Sequence, residues 1–126
     1  MVAYLLDSSF LIDHLRGFPP ATERFNALNE VGDTLMICDI TAAEVWSGQA
    51  AEHPRIERLI RYLEFVQPGP PTSMRAGIWR AEARDRGRTL DIPDALIAAT
   101  AYDLKATLLT RNVRDFELTS VRIETY

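Results

Sequence analysis

Short apolar runs alternate along the chain with stretches in which apolar residues recur at helical spacing. Val2 to Leu6 is an apolar run that stops at Asp7, and TLMIC, Thr34 to Cys38, reads as a buried strand. A weaker strand is expected at Glu64 to Gln67, with ATLLT at 106–110 as a fourth and VRIET at 121–125 as a fifth. Helical patterns fill the intervals. Ser8 or Ser9 offers an N-cap for a helix carrying Phe10, Leu11 and Leu15. Pro20 opens a helix with Ala21, Phe25 and Leu28 on one face, and another helix begins at about Thr41. Ile56, Leu59, Ile60 and Leu63 follow Pro54, a residue suited to a first turn. Met74, Ile78 and Ala81 mark a further helix that stops near Gly87, a C-terminal cap. Ile92 to Tyr102, carrying LIAATA, is apolar on nearly every side and is expected to lie buried against a sheet. Apolar strands alternating with helices predict a three-layer α/β/α sandwich, with a central parallel sheet of four to five strands and right-handed crossovers.

Composition sets bounds on this picture. A chain of 126 residues, 47% hydrophobic and 25% charged, is expected to form a single soluble domain over residues 1–126, large enough to fold around its own core without cross-links. Pro68 to Pro71 is short enough to be a connecting loop. Cys38 is the only cysteine, which excludes an internal disulfide and a Cys-based zinc site and suits a reducing cytoplasm. MVAYLLDSSF lacks the basic start of a signal peptide, and no run approaches the roughly 20 apolar residues of a membrane span. The net charge of -4 argues against a protein that grips nucleic acid by bulk positive charge.

The acids themselves carry the chemical signal. Asp7 closes the first strand, Asp39 the second with Glu44 beyond it, Asp94 sits in the first turn of the most apolar helix, and Asn112 and Asp115 follow the strand ending at Thr110. In an open parallel sheet the C-terminal strand ends share one edge, so acids far apart in sequence converge there. Two carboxylates about 4 Å apart repel by roughly 4 kcal/mol at an effective dielectric of about 20, so such a cluster calls for a cation. An all-oxygen set points to Mg²⁺ or Mn²⁺ and to metal-assisted phosphodiester hydrolysis. Ordinary structural uses stand beside this reading. Thr41 and Glu44 form a T-x-x-E capping box, and Asp91 and Asp94 suit an N-cap and first turn. R-x-x-D-F fits a surface turn, and Asp13, Asp39 and Asp103 read as solvated or capping acids. His14 and His53 read as surface residues, Trp46 and Trp79 as core aromatics, and Cys38 as a small core residue. The 13 arginines against the single Lys105 reflect either phosphate recognition or codon bias.

In order and neighbourhood, LLDSSFLIDHL, ITAAEVWSG, DIPDALIAATA and LLTRNVRDF together resemble the PIN domain, specifically the VapC-type toxin ribonucleases of bacterial type II toxin–antitoxin pairs. The resemblance covers essentially the whole chain, and its most specific element is Asp94 followed at once by ALIAATA and then by LLTRN. It implies an active endoribonuclease holding Mg²⁺ or Mn²⁺ in a cluster of acids, here Asp7, Glu44, Asp94 and, as fourth, Asp115 with Asn112 as a polar helper. Ser9 matches a small hydroxyl position that supports the metal site. The resemblance further implies in-line attack of a water leaving a 5′-phosphate and a 3′-hydroxyl. It implies as partners a VapB-like antitoxin whose C-terminal segment docks near the acids, an RNA substrate and a second copy of the toxin.

Two rivals remain to be separated from this reading. A phosphoacceptor receiver domain would need a Lys after the last strand, whereas Lys105 precedes its strand. A catalytically silent PIN-like scaffold binding RNA or protein would not need Asp7, Glu44 and Asp94 intact. With a net charge of -4, selectivity for RNA is expected to come from local arginine contacts and substrate shape.

Overall fold

The computed structural model describes residues 2–126. The five apolar runs form β1 (Ala3–Leu6), β2 (Thr34–Cys38), β3 (Glu64–Val66), β4 (Thr107–Leu109) and β5 (Ile123–Glu124). They make one all-parallel sheet in the order β3-β2-β1-β4-β5. Strand side chains alternate between faces. Leu5, Met36, Cys38 and Leu108 enter one core, while Tyr4, Leu6, Leu35, Ile37 and Leu109 enter the other. The first face is covered by α5 (Pro70–Asp85) and α6 (Ile92–Asp103). The second is covered by α1 (Ser8–Leu15), α2 (Pro19–Glu30), α3 (Asp39–Trp46) and α4 (His53–Tyr62). The chain first steps outward from β1 to β3 with helices on one face and then returns to β4 with helices on the other, as crossovers of one hand require. The expected sandwich is therefore formed, and β1 stands at the point where strand order reverses. Among the described residues no helix is long and apolar enough to cross a membrane.

Several local expectations are corrected. Ser8 and Ser9 do not cap α1; they are its first two residues, and the N-cap position belongs to Asp7, whose side chain makes no capping bond. No capping box forms at Thr41 and Glu44, because α3 already starts at Asp39 and Thr41 is buried mid-helix, accepting a weak bond from Cys38 Sγ at 3.6 Å. On α5 the buried face is Thr72, Ala76, Trp79 and Ala83, whereas Met74 and Ile78 are 64% and 51% exposed. Both faces have helical spacing, so periodicity could not choose between them. The small face wins because it lets α5 approach the alanine-rich α6, where Ala95, Ala98 and Ala99 are fully buried. Trp79 is a core residue, but Trp46 is 37% exposed. Asp103 is exposed, as expected, but it also accepts from Thr72 Oγ1 at 2.8 Å and Arg75 Nε at 2.5 Å and so ties α6 to α5. His14 is half-buried and stacks on Phe25 at 4.3 Å. Gly87 ends α5 as expected. Its φ of +70 permits a turn in which Gly87 N–H donates to the Arg84 carbonyl and Arg88 N–H to that of Ala83.

Candidate active site

Asp7 leaves the carboxyl end of β1 at the strand-order reversal, and its N–H donates to the Leu109 carbonyl of β4 at 3.0 Å. The side chain is 4% exposed, and its Oδ2 accepts from Thr110 Oγ1 at 2.7 Å and Ser9 Oγ at 3.1 Å. Each hydroxyl has a single proton, and both are directed at the carboxylate. The hydroxyl oxygens accept in turn, Ser9 Oγ from the Arg111 N–H at 3.1 Å and Thr110 Oγ1 from the Asn112 N–H at 2.9 Å. This closed set of bonds fixes the Oδ2 oxygen of the carboxylate. Burial pushes the Asp7 carboxyl above its ordinary range against the pull of Thr110, the Ser8 backbone and Ser9, and the charge of Asp115 adds to the rise.

The other acids face the same place from three further segments. Asp94, in the first turn of α6, is pushed from 3.8 up to about 6 by burial and then by the charges of Asp115, Asp7, Asp91 and Glu44. Glu44, on α3, is raised by burial and by Asp7, with the Ser8 hydroxyl working the other way. Asp115 lies in the 3-10 turn Val113–Phe116, where its N–H donates to the Asn112 carbonyl at 3.1 Å. The four acids expected from the sequence thus repel one another across one edge of the sheet. Asn112 contributes through its main chain, and Asp39 uses its side chain on the Ile40 N–H at 3.0 Å. This donor set, oxygen only and mutually repelling, fits a hard divalent cation. Among the described residues no three His, Cys, Asp or Glu side chains yet stand close enough to close on one ion. A cation would have to draw these carboxylates inward.

The repulsion has a direct consequence for stability. Between pH 3.8 and about 6 the folded protein holds a proton on Asp94 that the unfolded chain has released, so stability falls as pH rises through that window. Asp7 and Glu44 act in the same direction. With solvent screening at a half-buried site, Asp94 accounts for about 1–2 kcal/mol. His14, whose pKa is lowered by burial and by the Arg55 charge, works the other way in this window, so the comparison is made against Asp94→Asn: metal-free wild type is expected to gain roughly 5 °C more in melting temperature than that variant between about pH 7 and about pH 5, read by scanning fluorimetry in EDTA. The same pH dependence in both proteins would contradict the cluster.

Sequence reasoning missed two parts of the site. Thr110 ends the apolar run LLT, and its only signal was a buried-strand hydroxyl placed directly after the leucines. Asp13, expected to be solvated or capping, is 5% exposed and receives Arg111 Nη1 on both oxygens, at 2.8 and 3.0 Å, and the Tyr126 hydroxyl at 2.6 Å. Burial and the Asp13 charge hold the Tyr126 hydroxyl well above its usual range, so it stays a proton donor. Because Arg111 also supplies the N–H that holds Ser9, the Asp13 pair fastens the β4 exit to α1.

Comparisons with known proteins agree on one family. The family profile described as "PIN domain" matches residues 4–121. The chain is 30% identical over 115 residues to "Ribonuclease VapC19" of Mycobacterium tuberculosis, covering 90% of this chain and 92% of that protein. VapBC2 of Rickettsia felis, solved bound to a DNA fragment from the promoter, superposes with a TM-score of 0.86 at 22% identity over 99% of both chains. VapBC-1 of nontypeable Haemophilus influenzae gives 0.83 at 25% identity over 98% of both.

Proposed function

The chain belongs to the PIN-domain family, and from that membership we propose that it is the toxin of a type II toxin–antitoxin pair, an endoribonuclease that hydrolyses RNA phosphodiester bonds. The observation that carries this reading is the convergence of Asp7, Glu44, Asp94 and Asp115 on the sheet edge where β1 and β4 meet, where burial and neighbouring carboxylate charge, that of Asp115 included, push Asp7, Glu44 and Asp94 above the ordinary carboxylate range. We assign Asp7 and Asp94 as direct holders of Mg²⁺ or Mn²⁺, with Glu44 and Asp115 completing the set and Asn112 as a polar helper. Asp115 is preferred over Asn112 because its charge is felt by both Asp7 and Asp94. When bound, such a cation would lower the pKa of an attacking water and offset charge on the phosphate.

The protein's own contribution is placement and proton handling. Ser9 and Thr110 hold Asp7 by one oxygen so that the other keeps a fixed direction. Glu44 and Asp115, which complete the set, help orient or deprotonate the attacking water. The burial of Asp7 keeps bulk water from competing at that carboxylate.

The partner of this toxin is a VapB-like antitoxin. A groove of about 570 Å³ runs from Glu44 past Val45, Ile12, Leu15 and Ile56 to Arg55. It offers an apolar floor for a peptide segment, and an Arg or Lys of that segment would be drawn to the acids in place of a metal. The active unit is a cytoplasmic homodimer. Incubating purified protein with RNA and Mn²⁺, with and without EDTA and the co-expressed antitoxin, tests the reading. Cleavage lost to EDTA and to antitoxin supports it, whereas a folded protein that never cuts RNA would be the silent scaffold. Thr110→Val is expected to reduce cleavage about 10- to 100-fold while the protein stays folded, because Asp7 loses the shorter of its two hydroxyl bonds. Wild-type rates in that variant would show that Asp7 needs no such support.

A further inference from the structure

A second feature lies beside the acids and is not used by them. Helix α1 ends in a turn in which Gly17, at φ +75, donates to the His14 carbonyl and Phe18 N–H donates to the Asp13 carbonyl, each at 3.0 Å. This turn sets Arg16 and Phe18 around a notch of about 370 Å³ that they line with Asp13, Gly17 and Arg111. Arg16 is exposed, Phe18 is 45% exposed, and the Arg111 side chain is 55% exposed. Asp13, the one acid lining the notch, is 7% exposed at its side chain, and both its oxygens are occupied by Arg111 Nη1, with Tyr126 adding a bond to one.

The charge of this notch differs from that of the chain. Two guanidiniums face one buried, fully bonded carboxylate, which leaves a positive spot on a protein of net charge -4. The Arg111 guanidinium is held in place before any ligand arrives, and its Nε and Nη2 groups have no partner among the described residues. A pinned planar fork with free N–H groups is suited to a phosphate, and an exposed ring beside it is suited to an unstacked base. The notch is also close to the acids, since the Arg111 N–H binds Ser9 Oγ and Ser9 Oγ binds Asp7.

We propose that Arg16, Phe18 and Arg111 form a subsite for single-stranded RNA, in which the two arginines take a backbone phosphate next to the cleavage point and Phe18 stacks a base. The proposal rests on the ribonuclease reading above and adds to it where the strand is gripped. Such a subsite explains how an acidic protein gains hold of RNA without a broad basic surface, by a few preorganised contacts at one exit of the site.

The test uses the full chain. Arg16→Gln and Phe18→Ala are made because both residues are exposed and neither side chain is tied into the fold, whereas Arg111→Ala would strand the buried Asp13. Binding of a fluorescein-labelled oligouridylate of about eight nucleotides is read by anisotropy in an Asp7→Asn/Asp94→Asn background, and KM and kcat are read in the otherwise unaltered protein with Mn²⁺. Each variant is expected to bind about 10-fold more weakly and to raise KM correspondingly, with kcat within about twofold and melting temperature unchanged. Arg16→Gln is expected to make the slope of log affinity against log salt shallower by about 0.7, the loss of one phosphate contact on a single strand. Unchanged affinity, KM and salt slope in a protein that still cuts RNA overturn the subsite alone. Loss of antitoxin binding with RNA binding intact makes the notch a protein surface and overturns it as well. A wild-type protein that neither binds nor cuts RNA removes both this proposal and the function on which it rests.

Discussion

Asp94→Asn is expected to lower RNA cleavage by more than about 100-fold and, in metal-free buffer near neutral pH, to raise the melting temperature. The two effects have one cause. Asp94 feels four other carboxylates, those of Asp115, Asp7, Asp91 and Glu44, and burial and their charges together bring it to about 6. At pH 7 it is therefore ionised at a cost to the fold, and a neutral amide of the same shape removes that cost. Replacing an outer-shell partner of a metal ligand commonly costs about 10- to 100-fold, so loss of a carboxylate that holds the metal should exceed that range. Asp7→Asn should lose cleavage to the same degree. Its gain in stability should be smaller, because Thr110 and Ser9 donate to the Asp7 carboxylate and stabilise its charged form. Circular dichroism melts in EDTA and timed cleavage of an RNA in Mn²⁺ check both halves. A variant that loses activity together with stability would point to simple misfolding.

Arg111→Ala is expected to produce the opposite signature, a large loss of stability. Asp13 is almost fully buried, and Arg111 Nη1 bonds both of its oxygens. Removing one partner of a buried pair costs about 3–5 kcal/mol, but the Arg111 side chain is 55% exposed and water would reach part of the gap. A loss of about 2–3 kcal/mol, or roughly 10 °C in melting temperature, follows. The double substitution Asp13→Asn/Arg111→Gln leaves no unpaired charge and is expected to recover most of the loss. A double variant as unstable as the single one would show that packing around Tyr126 and Phe10, which meet edge to face at 5.0 Å, outweighs the charge pair.

How far the sequence discloses this molecule depends on the range of the interaction involved. TLMIC and LIAATA are readable because burial on all sides imposes an uninterrupted apolar run, and β2 and α6 occur where those runs do. The shared location of the proposed site residues is legible from topology, since Asp7 directly follows β1, Glu44 lies on the helix after β2, Asp94 in the first turn of α6 and Asp115 in the turn after β4, and the parallel sheet brings these segments to one edge. Thr110 and the Asp13–Arg111–Tyr126 set were not readable. Their roles depend on contacts between residues 98 to 113 positions apart, and a threonine or an aspartate carries no local mark of such a contact. The α5 face was misassigned for a related reason. Apolar size favours Met74 and Ile78, while the actual packing is decided by the small residues of α6 that only the folded protein brings opposite. The capping box at Thr41 failed because β2 passes directly into α3 at Asp39, leaving Thr41 no helix start to cap.

Asp7, Glu44, Asp94 and Asp115 are proposed to form one cation-holding nuclease centre. Its most direct test is the melting temperature at pH 7 as Mn²⁺ is titrated into wild-type protein and into Asp7→Asn/Asp94→Asn. The melting temperature is expected to rise with Mn²⁺ in the wild type, following ligand-linked stabilisation, and not to rise in the double variant, which begins from a higher metal-free value. Equal Mn²⁺ shifts in the two proteins, or no shift in a wild type that still cuts RNA, would contradict it.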